Sequence, residues 1–457
     1  MSASDPRPVH FVGIAGAGMR ALAELMARRG VAVSGCDANP GATEDLESLG
    51  IQVFKGHSPD HVDGARELIV TSAMAKDHPE LARARELGIP ITRRAEALGK
   101  AVAGGKLVAI AGTHGKTTTT VMTTAALAAA GLKPTGIAGG RVAEWKGNLS
   151  YDSDELFVVE ADEYDRSFLT LSPTVAVVTN VEADHLDIYH DLEDIRATFS
   201  RFVRDAPVIV LCDDDAGAKN LVLPASSEVI RYGLTSSDAR LVARDIRASG
   251  QSTTFSVAYD GSGLGDVLLR VPGHHNVQNA LAAIAAGFAL GVTLEQMREG
   301  LRQFGGVERR FQHLCDIAGL SIVDDYAHHP TEIAATLQAA RASYPGRRIV
   351  AAFQPHLFSR TRDFSEAFGQ SLSFADAVFL TEIYPAREKP IAGITSDLIA
   401  ASLSRAGRPA VWQGSRSDLS EALCGFVRTG DVVITIGAGD ITRTGSELKQ
   451  RLESGNA

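Results

Sequence analysis

The sequence predicts an α/β protein built from three domains. Short runs of β-branched residues alternate with Ala- and Leu-rich stretches over most of the chain, a rhythm typical of parallel sheets flanked by helices. The 457 residues exceed what one hydrophobic core organises, and a glycine-rich break, AGGK, falls at 103–106. We therefore predict a Rossmann-like domain at 1–104, a P-loop ATPase-like domain at 105–305 and a doubly wound α/β domain at 306–457.

The composition excludes several classes of function. The chain is 45% hydrophobic and 22% charged, with a formal net charge of −10 and no basic block, which argues against binding to nucleic acid or a membrane surface. Its four cysteines form no C-x-x-C pair, so we expect a reducing compartment, no disulfides and no zinc site. The N-terminus lacks a signal-peptide core and no apolar run is long enough to span a membrane, so we expect a cytoplasmic protein.

The first domain opens with the predicted strand VHFVGIA, a glycine turn and a helix that reaches Arg29. Gly16 and Gly18 fit a dinucleotide fingerprint, and Asp37 follows the second predicted strand. The block is short for both halves of a dinucleotide fold, and a second nucleotide loop follows at once. Because a helix N-terminus behind glycines binds any pyrophosphate, a UDP-sugar is the favoured ligand, with a dinucleotide or a purely structural turn as alternatives.

The second glycine loop, AGTHGKTT at 111–118, predicts a triphosphate site. It departs from a strict Walker A pattern, which would have glycine in place of Ile110. Gly112 and Gly115 let backbone N–H groups turn toward phosphate, Lys116 supplies positive charge, and Thr117 offers a hydroxyl to Mg²⁺. A Thr-rich helix cap is the structural alternative, although four consecutive threonines make a poor helix interior.

Two later strands of the second domain end in acidic residues. Such strand ends are where α/β proteins bind ligands, and carboxylate oxygens suit Mg²⁺. We predict Glu160, the acid nearest its strand, as a metal ligand, and His185 as a ligand of a second metal or a phosphate contact. The acidic clusters are Glu160, Asp162, Glu163 and Asp165, then Glu182, Asp184 and Asp187 around His185.

Amide and basic side chains suggest further contacts. Asn276 and Asn279 open a predicted helix, where an amide can pair with an adenine edge or simply cap the helix. Arg309 and Arg310 lie at the junction of the second and third domains. Two strand ends of the third domain, IVDDYAHHPTE and AAFQPHLFSRTRDF, are rich in His and Arg and predict an anion-handling face, with helix caps and surface charge as the alternative.

Taken in order, these motifs resemble those of the Mur ligases of peptidoglycan synthesis, over nearly the whole chain. The motifs are AGTHGKTTTT, VVEADEYDRSFL, VTNVEADHLDIY, HHNVQNALAA, DDYAHHPTE and FQPHLFSRTRDF. The resemblance implies domains for a UDP-sugar, for ATP and for an amino acid, the third closing over the other two. It also implies an ATP- and Mg²⁺-dependent carboxylate–amine ligase, monomeric or homodimeric, that joins L-alanine to the lactyl carboxylate of UDP-N-acetylmuramate through an acyl phosphate.

The resemblance assigns roles by position. The implied ATP loop is Gly112, Thr113, His114, Gly115, Lys116, Thr117 and Thr118. The implied metal ligands are Thr117, Glu160 and His185. Further nucleotide contacts are Asn276, Asn279, Arg310 or its neighbour Arg309, and Asp324 or Asp325. The implied UDP-sugar contacts are Gly16, Gly18, Met19, Asp37 and Ser72. Catalytic roles fall to Lys116, His185, His328, His356 and Arg360, with Tyr326 beside the substrate.

The sequence departs from the family pattern and leaves alternatives open. Leu357 stands where the family usually has arginine, and no lysine lies between His185 and Asp205, so the carbamylated lysine of sister ligases is absent. A recycling ligase that adds a tripeptide to the same acceptor is one alternative, although its members tend to carry a longer basic insert after EADEYD. An NAD(P)-dependent oxidoreductase and a nucleotide switch without chemistry are the others.

Overall fold

The computed structural model describes residues 5–41, 43–71 and 74–455, and its three β-sheets with flanking helices confirm the predicted fold class. The chain divides into two compact units. The first runs to Arg244 and adds Val257–Gly265 and Gln278–Phe304, and the second comprises Asp245–Ser256, Asp266–Val277 and the chain from Gly305 onward. Within the described ranges, no helix combines the length and apolar character that crossing a membrane requires.

The first sheet has five parallel strands in the order β3-β2-β1-β4-β5. The strand order reverses between β1 and β4, and in such sheets ligands bind at the carboxyl ends beside that reversal. The strands are β1 Val9–Val12, β2 Val33–Asp37, β3 Gln52–Lys55, β4 Glu67–Val70 and β5 Ile91–Arg93. The helices are α1 Ala17–Arg28, α2 Glu44–Glu47, α3 Pro79–Glu86 and α4 Arg94–Val102.

The second sheet has ten strands in the order β15-β14-β13-β12-β11-β10-β6-β9-β7-β8. Two-residue connections join β13 to β14 and β14 to β15, which only antiparallel pairing allows. The strands are β6 Lys106–Ala111, β7 Pro134–Val142, β8 Gly147–Ser150, β9 Leu156–Glu160, β10 Val175–Val178, β11 Val208–Cys212, β12 Glu228–Gly233, β13 Leu241–Ser249, β14 Ser252–Tyr259 and β15 Ser262–Leu269. The helices are α5 Lys116–Ala129, α6 Leu192–Val203, α7 Ala216–Lys219, α8 His274–Ala289 and α9 Leu294–Gln303.

The third sheet has the order β16-β17-β21-β18-β19-β20, with β16 antiparallel to β17 and the other pairs parallel. The central strand β21 lies between β17 and β18, so both predicted His- and Arg-rich strand ends flank it. The strands are β16 Gln312–Ile317, β17 Leu320–Asp325, β18 Ile349–Phe353, β19 Ala377–Thr381, β20 Trp412–Gly414 and β21 Val432–Ile436. The helices are α10 Pro330–Ser343, α11 Phe358–Leu372, α12 Asp397–Arg405, α13 Leu419–Cys424 and α14 Arg443–Glu453.

One hydrophobic core joins the first two sheets. Met19 and Leu25 of α1 belong to the same buried cluster as Phe157 of β9. Arg29, just after α1, lies 2.7 Å from Asp154, and its guanidinium lies 5.5 Å from the centre of the Phe157 ring. Burying these apolar side chains together stabilises the arrangement in which the first sheet packs on the second.

Candidate functional site

Three neighbouring strands of the second sheet end at the same edge. They lie in the order β10-β6-β9 and are parallel, with Val178 paired to Ala111 and Glu160 paired to Ile110. Because the carboxyl ends of parallel strands meet, the segments that follow them converge. We call the resulting group, residues 112–118, 160–163 and 179–185, the edge site.

The glycines of the loop after β6 cannot be replaced without strain. Gly112 has a φ of 143°, and a Cβ placed on it would lie 1.9 Å from the Thr179 hydroxyl oxygen. Gly115 has a φ of 79°, and a Cβ there would lie 2.6 Å from Oδ1 of Asn279. Both positions combine a left-handed backbone with a close neighbour, so only glycine gives the loop this course.

The segment after β10 holds the loop in place. The N–H groups of Thr113 and His114 donate to the Asn180 carbonyl and side-chain oxygens at 3.1 and 2.7 Å. The Thr179 hydroxyl donates to the His114 carbonyl at 2.6 Å, and the Glu182 N–H donates to the Thr113 hydroxyl at 2.9 Å. Thr113 and His114 therefore shape the loop through bonds within the protein.

The first turn of α5 offers backbone donors to an anion. Its N-cap is Gly115, and the N–H groups of Lys116, Thr117 and Thr118 have no intrahelical acceptor at this end of a helix. The helix dipole adds positive potential at the same point. This arrangement suits a phosphate group, as the sequence predicted.

Lys116 is fully engaged by protein groups. Its ammonium donates to the carbonyls of Gly112 and Thr113 at 2.7 and 3.0 Å and lies 2.8 Å from a carboxylate oxygen of Glu163. Burial lowers the pKa of Lys116, but the charges of Glu163 and Asp162 outweigh burial and leave the pKa raised. The lysine is thus cationic, and a phosphate must compete with Glu163 for it. The sequence showed Glu163 as one of four nearby acids and gave no sign that it pairs with the lysine.

Oxygen ligands suited to Mg²⁺ lie beside the lysine. The Thr117 hydroxyl donates to Oε1 of Glu160 at 3.0 Å, and Oε2 of Glu160 accepts from the Gly139 N–H at 2.5 Å. A hydroxyl and a carboxylate held together at the start of a nucleotide-loop helix are hard oxygen ligands of the kind Mg²⁺ prefers. The donor set at Thr117 and Glu160 therefore fits the predicted ion.

His185 lies at the same edge, beside Glu163. Its Nε2 is 3.6 Å from Oε1 of Glu163, and its ring meets that of Tyr164 edge-on with centroids 5.1 Å apart. Its Nδ1 is buried and has no hydrogen-bond partner among the described residues. A buried ring nitrogen without a partner is costly, and a cation would satisfy it.

The two predicted asparagines have different surroundings. Oδ1 of Asn279 accepts from the Thr119 hydroxyl at 3.2 Å, which places Asn279 against the glycine loop. In the second compact unit, Nδ2 of Asn276 donates to the Pro272 carbonyl at 2.7 Å. That bond occupies one amide hydrogen of Asn276.

The glycine turn of the first sheet forms a second anion-binding candidate. Helix α1 starts after Gly16, which leaves the N–H groups of Ala17, Gly18 and Met19 without intrahelical acceptors. The Met19 side chain is buried in the core, so a ligand reaches only its backbone. The Asp37 carboxylate accepts from the backbone N–H of Ala15 at 3.1 Å and so holds the turn itself.

A cation that the sequence did not single out lies beside this turn. A Cβ placed on Gly18 would be 2.9 Å from Nη1 of Arg94, so the Arg94 guanidinium sits at the start of α1. Arg20, in the first turn of α1, forms an ion pair with Asp45. Arg94 is separated from the glycine motif by more than 70 residues, so no local pattern could have identified it. The predicted contact Ser72 lies outside the described residues.

In the third sheet the two junction arginines flank one tyrosine. The guanidinium carbons of Arg309 and Arg310 lie 4.9 and 5.1 Å from the centre of the Tyr326 ring. Arg309 also donates to Asp324 at 3.1 Å and to the Gly437 carbonyl at 2.6 Å. These bonds give Arg309 a structural role, and Arg310 has a protein partner too, since its Nη1 lies 3.5 Å from Oε1 of Glu332.

The two predicted aspartates also have structural partners. Asp324 is 1% exposed and accepts from the Thr435 and Thr442 hydroxyls at 2.5 and 2.8 Å in addition to Arg309. Asp325 accepts from the N–H groups of Phe311 and Ala327, both at 2.7 Å. Burial raises the pKa of Asp325 to about 6. In this conformation both carboxylates therefore accept hydrogen bonds from other residues of the third domain.

The predicted reaction-centre side chains of the third domain do come together. The rings of His328 and His356 meet with centroids 5.9 Å apart, and the His356 ring stacks on Tyr384 at the same separation. Nδ1 of His328 is 3.4 Å from Glu332, and Nη1 of Arg360 is 3.4 Å from Nδ1 of His356. Two imidazoles and a buried guanidinium therefore line one face at the carboxyl end of the sheet.

Leu357 takes an unusual backbone conformation at this face. Its φ is 72°, and its side chain is 4% exposed as the residue before α11. A branched residue at positive φ is strained, and strain of this kind concentrates at functional sites. Because position 357 holds leucine rather than arginine, the guanidinium near the end of β18 comes from Arg360, one helical turn further along the chain.

Together the three sheets and the edge site define an α/β protein of the glycine-loop nucleotide-binding class. Three family models match the chain in order: the Mur ligase family catalytic domain at 8–106, the Mur ligase middle domain at 110–287 and the Mur ligase glutamate ligase domain at 309–439. The chain belongs to the Mur ligase family.

Individual proteins match over almost their full lengths. A UDP-N-acetylmuramate–L-alanine ligase of Geotalea uraniireducens (strain Rf4) is 43% identical over 450 residues, which are 97% of this chain and 98% of the relative. The crystal structure of a UDP-N-acetylmuramate–alanine ligase from Thermotoga maritima matches with a TM-score of 0.83 and 31% identity, over 98% and 99% of the two chains. A murein peptide ligase from Psychrobacter arcticus 273-4 matches with a TM-score of 0.70 and 26% identity, over 98% of each chain.

Proposed function

We propose that this chain is an ATP-dependent ligase that joins L-alanine to the lactyl carboxylate of UDP-N-acetylmuramate in peptidoglycan precursor synthesis. The observation that carries the proposal is the edge site, where Lys116, Thr117, Glu160 and His185 meet around the first turn of α5. The near full-length similarity to proteins named for this reaction supports the choice of substrates.

The reaction has to overcome a repulsion between anions. A carboxylate does not condense with an amine unaided because oxide is a poor leaving group, so the carboxylate takes the γ-phosphate of ATP and becomes an acyl phosphate. The amine then attacks the acyl carbon and phosphate leaves. In the first step a carboxylate approaches a polyanionic phosphate, and fixed positive charge must offset the repulsion.

Lys116 and the first turn of α5 supply that charge from the protein. The lysine is held by two loop carbonyls, so it can exchange Glu163 for a phosphate oxygen without leaving its place. Thr117 and Glu160 would hold Mg²⁺, with His185 beside a second ion. When bound, the metal neutralises phosphate charge and orients the phosphate oxygens.

We assign roles to the first glycine turn and to the third domain as well. The N–H groups at the start of α1, with Arg94, suit the diphosphate of UDP-N-acetylmuramate. His328, His356 and Arg360 would orient the amine and stabilise the oxyanion that forms when it attacks. The three sheets support domains at 1–104, 105–305 and 306–457, because the second sheet starts at Lys106 and the third at Gln312. An acyl phosphate is hydrolysed by water, so we expect the third domain to close before chemistry begins.

The alternatives fit less well. Asp37 would have to bind a ribose in a nicotinamide enzyme, but its carboxylate holds the backbone of the glycine turn. The murein peptide ligase resembles this chain less than the alanine ligase of T. maritima does, by identity and by TM-score. Neither observation favours a second function.

Phosphate release from ATP tests the proposal. With UDP-N-acetylmuramate and Mg²⁺ present, we expect release with L-alanine, weaker release with glycine or L-serine, and little with the tripeptide L-alanyl-γ-D-glutamyl-meso-diaminopimelate. Mass spectrometry of the product should show the mass of UDP-N-acetylmuramate plus one alanine residue. If no amine gives phosphate release, the ligase proposal is wrong. If only the tripeptide gives release, the chain is a recycling ligase that adds a tripeptide rather than L-alanine.

A further inference from the structure

A cluster of metal-ligating side chains lies in the first sheet, away from the edge site. It gathers residues from strands, loops and a helix on the face of the sheet that α3 covers. We call it the histidine–cysteine cluster, and its members are His10 on β1, Cys36 on β2, His57 after β3, His61 in the short 3-10 helix Pro59–Val62, and His78 and Glu80 at the start of α3.

The ligand atoms are spaced as they would be around one ion. Sγ of Cys36 is 3.2 Å from Nδ1 of His57 and 3.1 Å from each Glu80 oxygen, and Nδ1 of His57 is 3.7 Å from Oε1 of Glu80. Ligand atoms bound to one tetrahedral zinc at about 2.0–2.3 Å are about 3.3–3.8 Å apart. Three side chains thus form one near-complete face of a zinc coordination tetrahedron.

Further imidazoles are within reach of the fourth position. Nδ1 of His61 is 3.1 Å from Oε1 of Glu80. Ligand atoms of His10, Cys36 and Glu80 all lie within 4.8 Å of one another, as do those of His57, His78 and Glu80.

Hydrogen bonds within the cluster do not satisfy all of its polar atoms. Cys36 has one thiol proton, yet three polar atoms lie within 3.2 Å of its sulfur. Nε2 of His10 and Nδ1 of His78 are buried and have no hydrogen-bond partner among the described residues. The His10 side chain is 0% exposed, so its free nitrogen is fully withdrawn from water.

The buried negative charge of Glu80 also favours a cation in this cluster. Glu80 is 0% exposed, and its ion-pair partners in the described part of the chain are the imidazoles of His57 and His61. A buried carboxylate without a fixed cation is costly. One Zn²⁺ with a carboxylate, a thiolate and neutral imidazoles leaves no net charge, so the ion satisfies both the carboxylate and the spare ring nitrogens.

We propose that the histidine–cysteine cluster binds one Zn²⁺ ion, with Cys36, Glu80 and His57 as ligands and a further imidazole in the fourth position. On binding, the Cys36 thiol loses its proton to solvent and the sulfur forms a bond to zinc. The thiolate and imidazoles favour zinc over Mg²⁺, which prefers oxygen ligands, so the edge site does not compete for the same ion.

Zinc in this cluster would stiffen the candidate UDP-sugar turn. The Cys36 carbonyl accepts from the N–H groups of Gly13 and Ile14 at 2.8 and 3.0 Å, so the residue whose sulfur binds the metal also anchors the glycine turn. The cysteine spacing alone gave no zinc motif because the ligands come from separate segments of the first 80 residues. Only the fold brings them together.

Co²⁺ titration of the full chain tests the site, because a thiolate bound to Co²⁺ gives a charge-transfer absorption band. The titration is made in metal-free buffer with excess Mg²⁺ to fill the edge site. We expect a band that saturates at one Co²⁺ per chain, disappears when Zn²⁺ is added, is absent in Cys36→Ser and is unchanged in the matched control Cys315→Ser. No band in the wild-type protein, or a band that persists in Cys36→Ser, would overturn the proposal.

A second variant, which keeps Cys36, tests the site without relying on Cys36→Ser to fold. The triple variant Cys212→Ser, Cys315→Ser, Cys424→Ser leaves Cys36 as the single thiol of the chain. Loaded with Zn²⁺, it should give a zinc X-ray absorption spectrum with one sulfur neighbour at about 2.3 Å and lighter neighbours at about 2.0 Å. A spectrum without sulfur would contradict the assignment.

Discussion

The buried carboxylate of Glu163 lies 2.8 Å from the ammonium of Lys116. Glu163 is 3% exposed, and the lysine keeps two loop carbonyls as its other partners. Without nucleotide, the charge that the reaction needs is therefore held by a protein carboxylate. A phosphate that enters the loop replaces one anion with another, so the lysine stays paired throughout.

Replacing Glu163 with glutamine should destabilise the free enzyme more than the nucleotide-bound enzyme. Removing one side of a buried ion pair costs about 3 kcal/mol. A bound triphosphate supplies the missing negative charge, so the loss should shrink when an ATP analogue saturates the site. Thermal unfolding with and without the analogue measures both values. Asp165→Asn, in the same loop, serves as the control, and a Glu163→Gln loss that is equal in both states would contradict the exchange.

Gly112→Ala should disrupt the glycine loop. The added Cβ would lie 1.9 Å from the Thr179 hydroxyl at a φ of 143°, so strain and a clash act together. We expect a loss of about 2–4 kcal/mol in the free energy of unfolding and no measurable binding of an ATP analogue. Gly104→Ala is the matched control because a Cβ there meets no atom within 4 Å. Analogue binding that survives in Gly112→Ala would show that the loop is not the triphosphate site.

Glu160→Gln should raise the Mg²⁺ concentration needed for half-maximal activity by about tenfold or more, since a metal-bound carboxylate loses its charge. Affinity for UDP-N-acetylmuramate should stay unchanged. Glu155→Gln, at the opposite end of β9 and exposed, is the control. Mg²⁺ titrations of phosphate release compare the three proteins. If Glu160→Gln and wild type share one Mg²⁺ dependence, Glu160 is not a metal ligand.

Asp325 should give the third domain a pH-dependent stability. Burial raises its pKa to about 6, whereas an unfolded aspartate titrates near about 3.9. The folded state therefore binds the extra proton between these values, and its free energy of unfolding falls as pH rises through that window, by up to about 3 kcal/mol. Asp325→Asn should lack this fall, and exposed Asp363→Asn should keep it.

Urea unfolding between about pH 4 and 6.5 measures this effect. Trp412 lies on β20 and reports on the third domain once Trp145, the other tryptophan, is replaced by phenylalanine. If the difference in the free energy of unfolding between wild type and Asp325→Asn stays constant over this pH range, Asp325 has an ordinary pKa and the prediction is wrong.

The sequence predicted the elements that carry a strong local signal. The buried runs of β6, β9 and β10 stand out as strands, and glycines next to Lys116 mark the loop between β6 and α5. Strand β7, PTGIAGGRV, was missed because proline and three glycines disfavour a strand. Its pairing with β8 and β9 outweighs that local preference, which only the folded structure reveals.

The details of the site depend on contacts between distant residues. The order of motifs predicted that Glu160 and His185 lie near Lys116, because parallel strands end at one edge. It could not predict that Glu163 holds the lysine or that Arg94 reaches the first glycine turn. The resemblance implied a nucleotide contact for Asp324 or Asp325, and it gave no sign that Asp324 accepts three hydrogen bonds within its own domain.

The central claim is that the 112–118 loop binds a triphosphate at a site separate from that of the UDP-sugar. Isothermal titration of Lys116→Ala with an ATP analogue and with UDP-N-acetylmuramate tests it most directly. We expect the variant to lose analogue binding and all turnover while its affinity for UDP-N-acetylmuramate stays within about twofold of wild type. Equal losses of affinity for both ligands, or analogue binding that is unchanged, would contradict the account.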